Sequence, residues 1–464
     1  MVELKPLAGG TATHGGSAMP RLSGGWPFLG HLTEFQEDPI AMLLRGAAEN
    51  GDLFQFNLGP KRFALFSGPT SHDAYFGASD DQLDPKSVYR FTVPIFGRGV
   101  AYDVEPEKMT EQLGFLFPAL RQSNMARFAS IMYDEASSFA DKLGNEGELD
   151  LPVAMNQLTV NIASRCLLGE EARREVDAGF AAAYHELQNG INTIGFFFPR
   201  LPIPSHRRRD RAREKVVEIF GRIMAERRET GTEFEDFMGA LMLARYKNGR
   251  ALTDDEISGI LLTALFAGQH TSAVLATWMG LELVRASSYL DRVRAEIQRV
   301  YEAGDDMTLA TLNEQRLIEN VVRESERLHP PLILLIRKVV RSLTYRGQVV
   351  PEGTLAMVSP AVSHKLKEVF ANPDVFDPDR FATPRNEDKT HQYALIGFGG
   401  GKHRCMGKNF AIMQIKALWT VLLDRFDFTL PSVFPVPNYG SWVTGPQEPC
   451  RLRYRRRTEA SVFN

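Results

Sequence analysis

The stretch FGGGKHRCMG, from Phe398 to Gly407, places one cysteine among three basic residues and four glycines. It does not match a phosphate-binding loop, because His403 stands where that motif needs Ser or Thr after Gly-Lys. A helix is predicted from Ala411, so Cys405 lies just before a helix start. Free backbone N–H groups, the positive end of the helix dipole and the basic neighbours are expected to stabilise a thiolate there. The pattern therefore predicts a loop that holds a reactive cysteine sulfur.

A thiolate that is surrounded by N–H donors and shielded by an apolar side chain suits a haem iron, and Phe398 supplies that shield. The glycines permit left-handed turns and let the backbone approach a flat partner closely. The alternative interpretation is a structural cysteine buried in a loop, since a single motif gives false positives.

The same stretch resembles the haem-binding signature of the cytochrome P-450 monooxygenases. The fixed positions of that signature are filled by Phe398, Gly401, Cys405 and Gly407. Two further motifs of the family lie upstream, ESER at 324–327 and FDPDRF at 376–381. The resemblance covers roughly residues 20–455. It implies haem b as the cofactor, with the thiolate of Cys405 as the iron ligand and the other signature residues around it.

The two upstream motifs supply a carboxylate and two guanidinium groups. Glu324 and Arg327 are three residues apart on one helix, so their side chains are neighbours on the same face. We expect Arg380 to approach the same carboxylate and to complete a network that locks the cysteine loop against the helix. Taken alone, such a pair is usually a solvated salt bridge of little energetic value.

The elements that must position these residues are mostly helical. The pattern from about residue 107 to 300 has apolar residues at helical spacing, and the longest helix begins at a TDDE cap, Thr253 to Glu256. This helix is apolar nearly all round, which predicts a path through the middle of the molecule. Another helix is stopped by Pro330-Pro331, and 52–68 reads as two strands around a Gly-Pro turn.

The resemblance implies a mainly α fold with small β-sheets (α+β), the cytochrome P-450 fold. In that fold a single large domain holds the haem between the long central helix and the cysteine loop. Residues 1–25 are rich in small residues and are predicted to form a flexible N-terminal arm, and residues 26–464 the monooxygenase domain.

The long helix carries AGQHTS at 267–272, which resembles the family's oxygen-side segment. The resemblance implies that Ala267 and the following glycine open space for dioxygen, and that His270 and Thr271 deliver protons. The Thr271 hydroxyl is expected to donate to the Ala267 carbonyl and loosen the helix. A satisfied core histidine is the alternative for His270, although an imidazole titrates near neutral pH and suits a relay. Peroxide-using relatives have Arg-Pro here, so O2 and NAD(P)H-derived electrons are the expected co-substrates.

Histidine in place of the usual acid resembles the sterol 14α-demethylase branch, of the soluble bacterial type. YRFTVPIFGRGVAYD, at 89–103, resembles that branch's substrate-loop signature. Phe91 and Phe96 are predicted to form flat walls for a rigid polycycle, although ordinary core packing is the alternative, and Tyr89 to offer a hydroxyl to a haem propionate.

The resemblance also implies that Arg337 and His403 bind propionates and that Leu334, with Ala267, lines the substrate pocket. Thr110 stands where bacterial sterol demethylases have a lysine, and Lys108 is the nearest substitute.

By resemblance the activity is removal of a 14α-methyl group in three successive oxygenations, through an alcohol and an aldehyde to formic acid and a new ring double bond. One alternative is a bacterial monooxygenase of the same fold that hydroxylates another lipid or terpenoid. A second alternative is a non-catalytic haem sensor or binding protein.

The net charge and the number of cysteines are those expected of a soluble cytoplasmic protein. A net charge of −3 indicates neither nucleic acid nor an anionic membrane as partner, and three scattered cysteines favour a reducing compartment. The N-terminal residues contain no apolar run of the length of a signal peptide or a membrane span, so neither segment is expected. No flavin or nucleotide motif is visible, so a ferredoxin or flavodoxin with its reductase is the expected electron source, and a sterol-like lipophile the substrate.

Overall fold

The computed structural model describes residues 17–175, 178–191, 195, 198–231, 234, 236–301, 306–430, 433–458 and 461–463. Helices dominate this part of the chain, as the sequence predicted. They are α1 Leu32–Glu37, α2 Pro39–Asn50, α3 Pro69–Gly77, α4 Lys86–Tyr89, α5 Val93–Phe96, α6 Pro106–Gly114, α7 Gln122–Lys142, α8 Leu151–Glu175, α9 Ala178–Asn189, α10 Pro204–Thr230, α11 Phe237–Leu243, α12 Asp254–Arg285, α13 Ser287–Val300, α14 Leu309–Glu314, α15 Arg316–Leu328, α16 Pro360–Ser363 and α17 Lys408–Arg425.

The strands are short and form small sheets. They are β1 Ser17–Ala18, β2 Leu53–Leu58, β3 Lys61–Phe66, β4 Leu83–Asp84, β5 Glu146–Asp150, β6 Leu335–Val339, β7 Leu343–Tyr345, β8 Gln348–Val350, β9 Leu355–Val358, β10 Phe426–Thr429 and β11 Arg451–Arg456. A mixed five-stranded sheet has the order β2-β3-β9-β6-β4, and two three-stranded sheets have the orders β1-β8-β7 and β10-β11-β5. The chain thus folds as a mainly α domain with small sheets.

The predicted hairpin at 52–68 is present. Strands β2 and β3 pair antiparallel around the Gly-Pro turn, with Leu58 opposite Lys61. Gly59 takes a φ of 57°, a left-handed conformation that favours glycine at such a turn. The five-stranded sheet continues through β9 to β6, which carries Arg337 into the protein interior.

Helix α12 is the long central helix that the sequence predicted. Thr253 caps it, and its side chain and that of Glu256 form a reciprocal capping box. Its first half packs in one hydrophobic core with α5 and α8 to α11, and its second half packs in another with α7, α15 and α17. It has the length and composition of a membrane-crossing helix, but 67% of its most apolar window is buried inside the protein.

Three predicted boundaries are corrected. The predicted arm over 1–25 is anchored from Ser17 onward, because β1 pairs with β8 and Met19 and Leu22 are buried; residues 1–16 lie outside the described residues. The helix before the two prolines is divided at Gln315 into α14 and α15. Helix α17 begins at Lys408, three residues before the predicted start, because Gly407 serves as its N-cap.

Candidate active site

The cysteine loop is fixed by backbone contacts on both sides of the sulfur. The Cys405 N–H donates to the Phe398 carbonyl at 2.8 Å, and Gly407 begins helix α17 two residues later. Gly401 has a φ of 61°, and a Cβ there would lie 2.4 Å from the Phe76 carbonyl oxygen. Gly401 therefore lets the loop approach the end of α3, a contact within the protein that the sequence did not predict.

The Cys405 sulfur is reachable by solvent but lies within a recess of the protein. Burial in that recess raises the pKa of the thiol, while the backbone N–H groups of Gly407 and Lys408 act in the opposite direction. Lys402 and His403, two of the basic neighbours expected to help, both pair with Asp80, whereas the charge of Lys408 does lower the pKa of the thiol. The N–H groups at the start of α17 are the donors that remain for a thiolate.

The contact between Asp80 and the cysteine loop was not predicted from the sequence. Its two oxygens lie 2.7 Å from Lys402 Nζ and 2.6 Å from His403 Nε2. Burial opposes ionisation, but the hydrogen bonds from these two side chains hold the pKa of Asp80 below its usual value. Strand β4, which pairs with β6, brings the Asp80 loop to this place. His403, predicted to bind a propionate, is thus held by a carboxylate of the protein.

Arg337 is almost completely buried, with 5% of its surface exposed. Its guanidinium lies over the Tyr75 ring, 4.8 Å from the centroid, and donates to the Tyr75 carbonyl at 3.4 Å. Within the described part of the chain, no carboxylate forms an ion pair with it. Tyr89 lies beside β6, the strand that carries Arg337, and its hydroxyl accepts the Ile336 N–H at 3.3 Å. Because a buried cation without a counter-charge is energetically costly, Arg337 is suited to bind an acidic ligand.

The AGQHTS segment lies between the two hydrophobic cores that α12 joins. Residues from Glu256 to Leu283 are buried except at six positions, which follow helical spacing along one side. These positions are Thr263, Ala264, Ala267, Gly268, His270 and Thr271. The Thr271 hydroxyl donates to the Ala267 carbonyl at 2.7 Å, the contact expected from the sequence. The centre of this largely buried helix thus presents a strip of mainly small residues to an open space.

The side chain of His270 is directed toward α8 and α9. Its Nδ1 lies 3.5 Å from Oδ1 of Asn156, and burial, with a smaller effect of His185, lowers its pKa. The lowered pKa favours the neutral imidazole over the charged one. A neutral imidazole still carries one N–H donor and one acceptor, so it can pass a proton.

The three charged residues of the upstream motifs are brought together with no exposed side-chain surface. Arg327 donates to both oxygens of Glu324, at 2.8 and 2.9 Å, and Arg380 Nε donates to the same carboxylate at 3.0 Å. Arg327 also donates to the backbone carbonyls of His364 and Pro373. The network joins α15 to the segment that precedes the cysteine loop.

Two of the aromatic residues of the 89–103 stretch contact one tryptophan. The Phe91 ring meets the Trp442 ring edge-on at 4.9 Å, and Tyr89 meets the same indole at 6.3 Å. Trp442 belongs to the C-terminal segment, and no motif in the sequence indicated it. Phe96 ends α5 and packs in the core against Phe266, which is the alternative to a pocket wall that the sequence left open.

Leu334 is half-buried directly before β6. Lys108 does not take the place of the lysine that bacterial sterol demethylases have at the position of Thr110. Its Nζ instead pairs with Glu256 at 3.0 Å, near the start of α12. The Thr110 hydroxyl is turned back to the Pro106 carbonyl. Neither side chain therefore supplies the basic group that was expected at the cofactor edge.

These surroundings fit haem. An accessible thiol in a recess of the cysteine loop, an open strip of small residues on α12 and the buried, carboxylate-free Arg337 match the three parts of that cofactor. The thiol suits the iron, which a thiolate can ligate. The strip of small residues suits the flat apolar ring, and Arg337 suits the acidic propionate groups.

Comparisons with known proteins point to one family. The cytochrome P-450 family model matches residues 20–452. The chain is 39% identical to sterol 14-demethylase of Arabidopsis thaliana, over 94% of this chain and 91% of the other. It is 38% identical to sterol 14alpha-demethylase of Mycobacterium tuberculosis, over 95% and 99% of the two chains. For lanosterol 14-alpha demethylase of Bos taurus the identity is 34%, over 96% and 89%.

The solved structures agree on the fold. A cyanobacterial protein with retinoic acid bound superposes with a TM-score of 0.83 at 22% identity, covering 95% of this chain and all of that one. Sequence motifs, fold and similarity over nearly the whole chain lead to one family. The chain belongs to the cytochrome P-450 family of haem-thiolate monooxygenases, and within it is similar to proteins named sterol 14-demethylases from a plant, a bacterium and a mammal.

Proposed function

We propose that this protein is a sterol 14α-demethylase, which removes a 14α-methyl group in three oxygenations. Each oxygenation uses one O2 and two electrons derived from NAD(P)H. The first gives the alcohol, the second the aldehyde, and the third releases formic acid and leaves a ring double bond. Similarity over nearly the whole chain to proteins named for this activity carries the proposal.

Haem b, when bound, supplies the activation of dioxygen and the insertion of oxygen into a C–H bond. Cys405 is its proposed iron ligand, and the N–H groups of Gly407 and Lys408 stabilise the sulfur. Arg337 and Tyr89 are proposed to bind the acidic tails, because one is a buried cation without a carboxylate and the other a buried hydroxyl beside it. Loop residues Phe398 and Gly401 complete the proposed cofactor surroundings, and His403 would exchange Asp80 for a propionate.

Proton delivery is assigned to His270 and Thr271. The Thr271 hydroxyl lies on the open side of α12, while the imidazole of His270 is turned toward Asn156. The two residues are adjacent in sequence, so they connect the open strip with the polar contacts between α12 and α8. A neutral imidazole beside a hydroxyl can accept a proton from one side and return one on the other.

The substrate wall that we propose consists of Phe91 and Trp442, with Ala267 and Leu334 as further lining residues. Two aromatic rings in edge-to-face contact form a rigid apolar surface, which suits a fused ring system better than a flexible chain. Phe96 supports this wall from the core, where it packs against Phe266.

We further propose a ferredoxin or flavodoxin with its reductase as the electron source, and a cytoplasmic location. Arg404 is exposed next to the proposed iron ligand, and Lys402 is more than half exposed. Positive charge at this surface suits an acidic electron carrier, and an association of that kind weakens with ionic strength.

The proposal is tested by optical titration of the ferric protein with a 14α-methyl sterol such as lanosterol. A saturable shift from low-spin to high-spin haem, followed by release of formic acid during turnover, is expected. The matched control is the same sterol without its 14α-methyl group, which should bind but release no formic acid. Absence of a spin shift, in a protein whose reduced carbonyl spectrum shows intact thiolate ligation, would reject the sterol and favour hydroxylation of another lipid.

A further inference from the structure

Glu326 is a buried acid for which the proposed mechanism has no use. It stands in α15 inside the ESER motif, between the two residues that form the ion pair with each other. Only 2% of its surface is exposed, and its Oε2 has no hydrogen-bond partner among the described residues. Glu324, two residues earlier, is neutralised by two arginines, whereas Glu326 has no such ion pair in the described chain.

The carboxyl of Glu326 packs against the turn that leads into the cysteine loop. In this turn the Gly399 N–H donates to the Ile396 carbonyl at 2.8 Å. The backbone N–H groups of Gly397 and Phe398 are hydrogen-bonded to the carboxyl. A Cβ at Gly397 would lie 2.3 Å from Glu326 Oε1, so a side chain at this position would displace the acid.

The same turn holds the proposed iron ligand. Phe398 accepts the Cys405 N–H at 2.8 Å through its carbonyl, while its own N–H faces Glu326. One peptide segment therefore has an acid of α15 on one side and the cysteine on the other. A displacement of the carboxyl is passed to the sulfur through two hydrogen bonds.

Two cations lie near Glu326, but each of them also contacts another group, so they compensate its charge only in part. Burial raises its pKa to about 7, and the nearby cations Lys408 and Arg323 oppose that effect. Arg323 is itself paired with Asp388, and Lys408 lies over the Phe398 ring.

We propose that Glu326 is a positioning residue for the iron ligand, which holds the turn before the cysteine loop and whose negative charge lowers the haem reduction potential. The first effect follows from its contacts with Gly397 and Phe398. The second effect follows because reduction adds an electron to the haem iron, and the incompletely compensated negative charge of Glu326 nearby disfavours that addition. The proposal rests on haem ligation by Cys405 and is independent of the substrate.

The test compares Glu326→Gln with Glu326→Leu in the haem-loaded protein. The glutamine keeps the size and one acceptor oxygen but removes the charge, and the leucine removes both. At an effective dielectric constant of about 20, loss of a nearby charge changes the equilibrium constant for reduction about tenfold. For a one-electron couple this is a positive shift of ~59 mV in the glutamine variant, measured at about pH 8.5, where an acid with a pKa of about 7 is ionised. The control is Glu314→Gln, an exposed acid at the end of α14, which should leave the potential unchanged.

For Glu326→Leu we expect faster transfer of haem to apomyoglobin and a carbonyl spectrum that shows partial loss of thiolate ligation. A glutamine variant with the wild-type potential would overturn the electrostatic part of the proposal. A leucine variant that retains haem and thiolate ligation as the wild type does would overturn the positioning part. Neither measurement uses a substrate, so failure here is distinct from failure of the sterol assignment. The glutamine result stands by itself if the leucine variant does not fold.

Discussion

The guanidinium of Arg327 donates to both oxygens of Glu324, at 2.8 and 2.9 Å, and neither side chain has exposed surface. Arg380 reaches the same carboxylate from the segment that follows α15 and β9. Such a network connects parts of the chain that are about fifty residues apart in sequence, and removal of one member leaves the others buried and charged.

Glu324→Gln is therefore expected to lower the free energy of unfolding by about 3–5 kcal/mol, because the buried guanidinium of Arg327 loses its counter-charge and that of Arg380 keeps only Glu387. Urea denaturation followed by circular dichroism measures this change. Arg292→Ala, which removes an ion pair with Asp379 at the surface, is the control and should cost at most about 1 kcal/mol. Equal effects of the two substitutions would contradict the structural role of the network.

Arg337→Met is expected to have opposite effects on the haem-free and the haem-loaded protein. Without haem, replacing a buried cation by an apolar side chain of similar length should raise the free energy of unfolding by about 1–4 kcal/mol. With haem, loss of the partner for an acidic tail should speed haem loss more than about tenfold.

Denaturation of both forms and haem transfer to apomyoglobin measure these two changes. Arg341→Met is a suitable control, because Arg341 is 62% exposed and pairs with Asp81 at the surface. If Arg337→Met destabilised the haem-free protein, or left haem retention unchanged, Arg337 would not be a propionate partner.

Asp80→Asn tests the carboxylate that holds the cysteine loop. The pKa of Asp80 is lowered in the folded protein, so its contribution to stability is present above the unfolded value of about 3.9 and is lost as the pH falls through the folded value. We expect the variant to be less stable at neutral pH by about 1–3 kcal/mol, and the difference to vanish in strong acid.

Urea titrations of both proteins across this pH range provide the measurement. The exposed neighbour Asp81, changed to Asn, is the control and should show a smaller difference at every pH. A stability difference between wild type and Asp80→Asn that stayed constant down to strongly acidic pH would exclude the ionised carboxylate as its source.

Thr271→Ala should separate oxygen consumption from product formation. The hydroxyl is the polar group on the open strip of α12 that we assign to proton delivery, and proton transfer by a positioned group contributes about 10²–10⁴-fold to a rate. NAD(P)H oxidation is expected to continue, while product formed per O2 consumed falls at least about tenfold.

The matched variant is Thr277→Ala, whose hydroxyl makes the same kind of bond, to the Ala273 carbonyl at 2.8 Å, but in the core. Unchanged coupling in Thr271→Ala would remove this residue from the proton path. A loss of coupling in both variants would point to helix geometry instead.

The sequence by itself determined the elements whose signals are local. The capping box at Thr253 and Glu256 and the Gly-Pro turn of the β2–β3 hairpin depend on neighbouring residues, so they were predictable. Glu324 and Arg327 lie three apart on one helix, and their contact follows from helical spacing. The spaced residues around Cys405 likewise indicated the family, because a motif is itself a local pattern.

Only the tertiary structure decided which side chains meet across long separations. Asp80 and His403 are 323 residues apart, and Trp442 reaches Phe91 from the C-terminal segment. Burial also depends on the whole fold, which is why the low pKa of His270 and the buried acid Glu326 were not evident from residue types. Contacts and burial of this kind arise when helices and sheets pack together, and a local pattern carries no record of that packing.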